Sequence, residues 1–264
     1  MPESAKIHSD FDKLTEEISR RPPSMWAFKS NKEFRKILEH VSPGQGRKYI
    51  QAINMYFPGY LELNHERVVQ AINANDMYGK TLKSQFGAWG NMSPSNWRYI
   101  LHALLVLKHA KLTMGASCRI IEIGGGYGGL SVFIHLLSTS MGVEITNYTI
   151  LDLPSVSKLQ KLYLGACGLQ EVVCTALQNF RARGRKDSFF VSCYAFSELA
   201  PAGGDVGWRK AYREKVLDPD VKHGFLAWNG AGYGVPVYNF MEGISITQTE
   251  ENPQTGSCNR YITF

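Results

Sequence analysis

Glu122 stands two residues ahead of a run that places five glycines in six positions, Gly124-Gly125-Gly126-Tyr127-Gly128-Gly129. Backbone stripped of side chains there brings N–H groups and a helix N-terminus against a ligand, because no Cβ holds the ligand away. Gly124, Gly126 and Gly129 satisfy G-x-G-x-x-G, a pattern that a dinucleotide pyrophosphate would also use. Glu122 separates the two ligand classes. A carboxylate sits badly beside a pyrophosphate but well beside a nucleoside carrying ammonium and sulfonium charges, as S-adenosylmethionine does. Asp152, thirty residues further on and followed by Leu153, closes a second apolar run, where an acid accepts both ribose hydroxyls. After a third run come Asn179 and Phe180, an amide for the adenine edge and a ring to flank its face; an ordinary turn role suits Asn179 equally.

These residues need strands that end at one edge. From Cys118 onward short β-branched runs alternate with helical stretches: CRIIEIG, GLSVFIHLLSTS, VEITNYTILD, PSVSKLQKLYLGA, EVVCTAL and DSFFVSCYAF. Such alternation predicts a parallel sheet covered by helices. HGFLAWN supplies a fifth strand after an amphipathic segment around Trp208 to Leu217, and GISITQTE with NRYITF predicts an antiparallel hairpin. Before residue 115 the apolar spacing is helical near 10–20, 31–41, 46–56, 65–75 and 95–111, punctuated by RRPPS, SPGQG and FPG. Ser93 or Ser95 can cap the last helix, with Pro94 near its first turn. The expected organisation is a helical N-terminal extension or cap over 1–115 and a ligand-binding α/β core over 116–264.

Composition narrows the class. At 264 residues, 44% hydrophobic and 20% charged, the chain can bury a sizeable core. Its start is polar and mixed in charge, and no run reaches the roughly 18 apolar residues of a membrane span, so a soluble cytoplasmic protein is expected. A net charge of +6 permits an acidic partner such as a nucleic acid, an anionic glycan or a nucleotide-linked donor. Much of the excess lies in RARGRK (181–186), which has no interleaved aromatics and reads as a solvated loop, so nucleic acid is not the expected partner. The five cysteines show no C-x-x-C pair and read as buried free thiols.

EIGGGYGGL, TILDLP, SCYAFSEL and FLAWN, in this order, resemble the sugar O-methyltransferase family, a branch of the class I S-adenosylmethionine-dependent methyltransferases. The resemblance covers roughly residues 85–264. It implies a Rossmann-like seven-stranded sheet whose final strand is antiparallel, S-adenosylmethionine as cofactor and a carbohydrate acceptor. One position departs from the pattern: Cys193 stands where Asn is expected before Tyr194.

Methyl transfer to a hydroxyl is an in-line displacement that needs alignment and a base for the hydroxyl proton. Ligands in such sheets lie beyond the carboxyl ends of the strands, which singles out Tyr194 and Glu198 after the fourth strand. Glu198 is the first candidate base, its bland alternative being a carboxylate at a helix start. Tyr194 could orient the acceptor or line the sulfonium pocket. Gln85, Trp89, Arg98 and Tyr99 of the extension are candidate acceptor contacts, with core packing the stronger alternative for the two aromatics. His223 falls at the wrong end of its strand, His135 reads as a helix residue, and His102 and His109 share a helix face that could point into the cleft, a surface face being the stronger expectation. Asp218 and Asp220 are expected to cap or turn, and no metal is expected. Methylation of RNA or another small molecule, and a non-catalytic nucleotide- or glycan-binding module, are the competing readings. A dehydrogenase fits less well, since only 112 residues follow Asp152.

Overall fold

The computed structural model describes residues 12–198, 207–230, 241 and 243–264. Helices come first: α1 (12–19), α2 (Lys32–Ile37), α3 (Pro43–Tyr56), α4 (His65–Asp76) and α5 (Ser95–Met114). They fall where the apolar spacing puts them; residues 10 and 11 of the first segment lie outside the described residues. Local chemistry sets their ends. Asn31 accepts from the amides of Glu33 and Phe34, and Ser42 and Gln45 form a reciprocal capping box on α3, with Pro43 in its first turn. Ser93 Oγ accepts from the Ser95 amide at 3.2 Å where α5 begins. Between α4 and α5 a two-stranded hairpin pairs Ser84–Gln85 with Asn91–Met92, an element too short for periodicity to announce.

The strands are β1 (Ser117–Ile123), β2 (Glu144–Leu151), β3 (Val173–Thr175), β4 (Ser188–Cys193), β5 (Val221–Trp228), β6 (Thr247–Glu250) and β7 (Arg260–Thr263). They form one seven-stranded sheet in the order β3-β2-β1-β4-β5-β7-β6. The first five run parallel, and β7 is antiparallel to both of its neighbours. This is the Rossmann-like sheet expected from the sequence. α6 (Gly129–Ser138) joins β1 to β2 and α7 (Pro154–Ala166) joins β2 to β3. The chain then returns across β1 to start β4, so the crevice of the switch point opens beyond the carboxyl ends of β1 and β4.

Side chains alternate between two cores. Ile121, Ile123, Phe190 and Leu226 pack on one face with Tyr212 and Val216. Ile120, Ile150, Phe189 and Phe225 face the other, in a cluster that runs without a break into Trp26, Phe34, Tyr49, Ile72 and Trp97 of the helical segment. α5 is the spine of this second core, buried along most of its length and packed on α6 and on β5. A polar seam crosses it. Lys29, 1% exposed, donates to Tyr163 Oη at 3.0 Å and stands 4.4 Å from the Tyr127 ring centre; burial pushes its ammonium down to about 8.

Two expectations are corrected by this packing. His102 is not on a surface face: it is 1% exposed, with its ring 5.9 Å from both Tyr194 and Tyr261, and burial together with the Arg98 charge pushes it down to about 3. His109 is half-buried against Phe189. Both lie inward because this face of α5 packs on the sheet, His109 against Phe189 and His102 against Tyr194 and Tyr261. All five cysteines are free as expected, but only Cys118 is buried; Cys167, Cys174 and Cys193 are half-buried and Cys258 is exposed. The basic run 181–186 is exposed as expected, and Asp220 anchors it by accepting from the amides of Arg183 and Gly184 at 2.7–3.0 Å. Among the described residues no helix is long and apolar enough to cross a membrane, and no group of three or more His, Cys, Asp or Glu could hold a metal.

Candidate functional site

Parallel pairing sets Glu122 beside Ile150 of β2 and Val191 of β4. Its side chain takes the face that the helical layer covers and is 2% exposed, with Tyr148 Oη donating to Oε2 at 3.0 Å. Burial pushes the carboxyl up to about 8; the Tyr148 bond opposes this and the Asp152 charge adds to it. No basic side chain stands within ion-pairing distance of Glu122 among the described residues. A buried carboxyl in that state regains its charge only when a cation is brought to it.

The glycine loop is closed in from both sides. Gly124 has φ +73°, and a Cβ there would stand 2.0 Å from Ala195 Cβ, so the helical turn after β4 approaches as nearly as bare backbone allows. Gly126 has φ +58°, and a Cβ would meet Leu38 Cδ2 at 2.9 Å, which lays the end of α2 directly over the loop. Tyr127 turns away from the crevice. Its fully buried ring packs 5.0 Å from Tyr163 and 5.5 Å from Phe28, and its hydroxyl donates to Glu39 Oε1 at 2.6 Å. What position 127 offers a ligand is therefore backbone, as at Gly125 and Gly128.

Asp152 follows β2 and is braced. Oδ1 accepts from the Leu153 amide at 2.9 Å, and Oδ2 from Gln160 Nε2 at 2.8 Å. The same amide nitrogen donates to the Gly126 carbonyl at 2.8 Å, tying the acid to the glycine loop. Burial pushes Asp152 up to about 6 against these bonds. Leu153 is exposed beside it, Asn179 is exposed in the short 3-10 turn after β3, and Phe180 is half-buried against the core of Ile121, Ile123 and Phe190. These four residues share the rim at the carboxyl ends of β2 and β3.

At the end of β4, Ser192 Oγ donates to the Ile123 carbonyl at 2.8 Å and accepts from the Phe196 amide at 3.0 Å, fastening the next turn to the tip of β1. Tyr194 has φ +69°; its amide donates to the Ala227 carbonyl at 2.7 Å and its hydroxyl to Glu251. Glu251 Oε2 accepts from Thr255 N at 2.8 Å and Oγ1 at 2.6 Å. Glu198 Oε1 accepts from Asn229 Nδ2 at 3.1 Å, which places the carboxylate between the ends of β4 and β5. Cys193, at the position where Asn is expected, is half-buried, and burial raises its thiol pKa.

No family model matches the chain, and no curated protein does. Solved structures align with it at low similarity. A protein designated a class I S-adenosylmethionine-dependent methyltransferase, from Listeria monocytogenes, aligns over 98% of this chain and 87% of its own at 12% identity and a TM-score of 0.43. The mitomycin 7-O-methyltransferase MmcR aligns over 84% and 71% at 13% identity and a TM-score of 0.40. A protein designated an S-adenosylmethionine-dependent methyltransferase, from Methanococcus maripaludis, aligns over 62% and 84% at 11% identity and a TM-score of 0.39. Identity this low is a likeness of fold and says nothing of an acceptor.

The extension residues divide. Gln85 is exposed in the hairpin and donates to the Gly87 carbonyl at 3.2 Å, while Trp89 packs 4.7 Å from His65 and 5.3 Å from Trp97. Tyr99 stacks on Phe133 at 5.8 Å and edges Tyr127 at 6.1 Å, inside the core. Arg98 alone of the four brings a buried charge to this region, 6% exposed. Sequence reasoning missed Tyr148, Gln160, Glu39, Asn229 and Glu251. Tyr148 was within reach, since it lies two residues before Ile150 on the face that Glu122 shares; for Glu39 no signal distinguishes it from a solvated helix-end acid.

Proposed function

We propose that this chain is an S-adenosylmethionine-dependent O-methyltransferase acting on a sugar hydroxyl of a glycan or nucleotide-linked sugar. Glu122 carries the reading: a buried carboxyl at the glycine loop, uncharged below about pH 8 and without a cationic partner among the described residues. A pyrophosphate across this loop would face two acids, Glu122 and Asp152, whereas an ammonium–sulfonium ligand is drawn to them. The sugar comes from the resemblance of the strand-end motifs.

The bound cofactor would supply a methyl group already activated on its sulfonium sulfur. The chain's own residues do the rest. Backbone amides of Gly124, Gly125, Gly126, Tyr127 and Gly128 line the loop, Asp152 accepts the ribose hydroxyls with Leu153 beside it, and Asn179 and Phe180 flank the adenine. Glu198, aimed by Asn229, takes the acceptor's hydroxyl proton, a contribution of roughly 10²- to 10⁴-fold. Tyr194, its hydroxyl committed to Glu251, offers the methyl its ring. Of the extension residues, Gln85 and Arg98 remain the proposed acceptor contacts, Trp89 and Tyr99 being packed against other rings. Calorimetry with S-adenosylmethionine and with NAD tests the reading: binding of the first and not the second is expected, and the reverse refutes it. Glu198→Gln should keep cofactor affinity and lose turnover; full activity removes it as base.

A further inference from the structure

Arg98, in the first turn of α5, is a buried cation without an ion pair among the described residues. Its Nη2 donates to the Leu38 carbonyl at 2.7 Å and its Nη1 faces His40 Nε2 at 3.1 Å. Neither partner is charged. His40 is exposed on its outer side, and desolvation of the ring together with the Arg98 charge pushes it down to about 4, so it accepts as neutral imidazole. Glu39 acts on Arg98 from beyond ion-pairing distance, and neither it nor Glu251 beside Tyr194 is unengaged. Glu39 has its oxygens taken by Tyr127 at 2.6 Å and Ser93 at 3.0 Å, and Glu251 has its own taken by Tyr194 and Thr255.

A neutral amide could hold the Leu38 turn. Burial opposes the charge, yet its surroundings, Glu39 among them, hold the guanidinium charged, and its planar fork suits a carboxylate or phosphate. The position is the right one. Leu38, whose carbonyl Arg98 holds, covers Gly126 of the cofactor loop. One turn along α5 from Arg98, His102 touches the Tyr194 ring at the end of β4. Against that ring a further polar atom, His102 Nε2, is buried without a hydrogen-bond partner among the described residues.

We infer that Arg98 is the seat of a ligand carboxylate or comparable anion, set between the glycine loop and the end of β4. The inference rests on the proposed methyltransferase site and names the chemistry of one of its poles. The anion has two sources: the amino-acid carboxylate of the cofactor, or an acidic group on the acceptor such as a uronate or phosphate.

Calorimetry of the full chain and of Arg98→Gln with S-adenosylmethionine and with its decarboxylated analogue tests this, alongside thermal shifts in glucuronate and in inorganic phosphate. If the cofactor carboxylate is the anion, the wild type should bind the intact compound about 10- to 100-fold more tightly than the analogue, and Arg98→Gln should bring that ratio close to one. If the acceptor supplies it, the ratio is near one in both proteins, and glucuronate or phosphate raises the melting temperature of the wild type but not of the variant. A ratio above one that Arg98→Gln leaves intact, or no Arg98-dependent effect in either assay, overturns the assignment. Should Arg98→Gln not fold, Arg98→Lys, which keeps the charge and loses the fork, is measured in its place and should reduce whichever effect is seen. A wild type that binds neither nucleoside yet responds to the anions through Arg98 would sink the cofactor reading and leave this one standing.

Discussion

Glu122→Gln keeps the side chain's shape and its bond from Tyr148 while removing the titration. In the folded chain the carboxyl titrates at about 8, against an ordinary 4.5 when unfolded. The folded value is raised, so the unfolded chain releases this proton first and stability falls as pH climbs from the lower value to the higher. The slope is about 1.4 kcal/mol per pH unit, which over about 2.5 units brings the cost at pH 7 to about 3 kcal/mol. The amide does not carry that cost. Glu122→Gln should therefore match the wild type near pH 4.5 and exceed it increasingly above, by about 6–12 °C in melting temperature at pH 7 for a chain of this size. Denaturation of both proteins at pH 5, 6, 7 and 8 measures the divergence. Cofactor binding gives the opposite sign: the wild type should release about one proton more than the variant on binding at pH 7, and the variant should bind at least about tenfold more weakly. Parallel stability curves would mean that Glu122 is already ionised and satisfied in the free protein, and the cation argument would fall with them.

Asp152, raised by burial to about 6, is ionised above that value, so nucleoside affinity should decline as pH drops below it. Asp152→Asn should bind more weakly at pH 7.5 and show a flat profile; unchanged affinity would remove the ribose role. Tyr127→Phe deletes the 2.6 Å bond to Glu39 and should cost about 2 kcal/mol in urea denaturation, with an unaltered midpoint counting against the clamp. Gly124→Ala forces a left-handed residue onto Ala195, for a total of about 2–5 kcal/mol, and a variant with wild-type melting would show that the turn after β4 is not held against the loop.

The sheet was legible because its strands are short β-branched runs split by helical stretches, and the carboxyl-end rule then located Glu122, Asp152 and Glu198 at one edge. The helices were legible from spacing alone. What spacing could not show is the depth at which polar residues lie. Glu39, Lys29 and His102 carry the signature of solvated helix positions, yet each is sealed in when the helical layer closes on the sheet. Tyr127 looks like a loop aromatic facing a ligand, and its burial depends on Phe28 and Tyr163, residues distant in sequence. Two-residue strands such as Ser84–Gln85 leave no period to detect. The brace on Asp152 was hidden for another reason: Gln160 reaches it from two turns into α7, a matter of rotamer and not of pattern.

The unbroken hydrophobic cluster between the N-terminal helices and the sheet bears on how such a protein can be re-engineered. Grafting a foreign N-terminal half to change acceptor preference would strand Tyr99, Tyr127 and Tyr163 against mismatched neighbours, so transplants must carry these three rings and their counterparts as a set. Diversification of this scaffold is easier in the exposed basic run 181–186, whose side chains can change without disturbing either core.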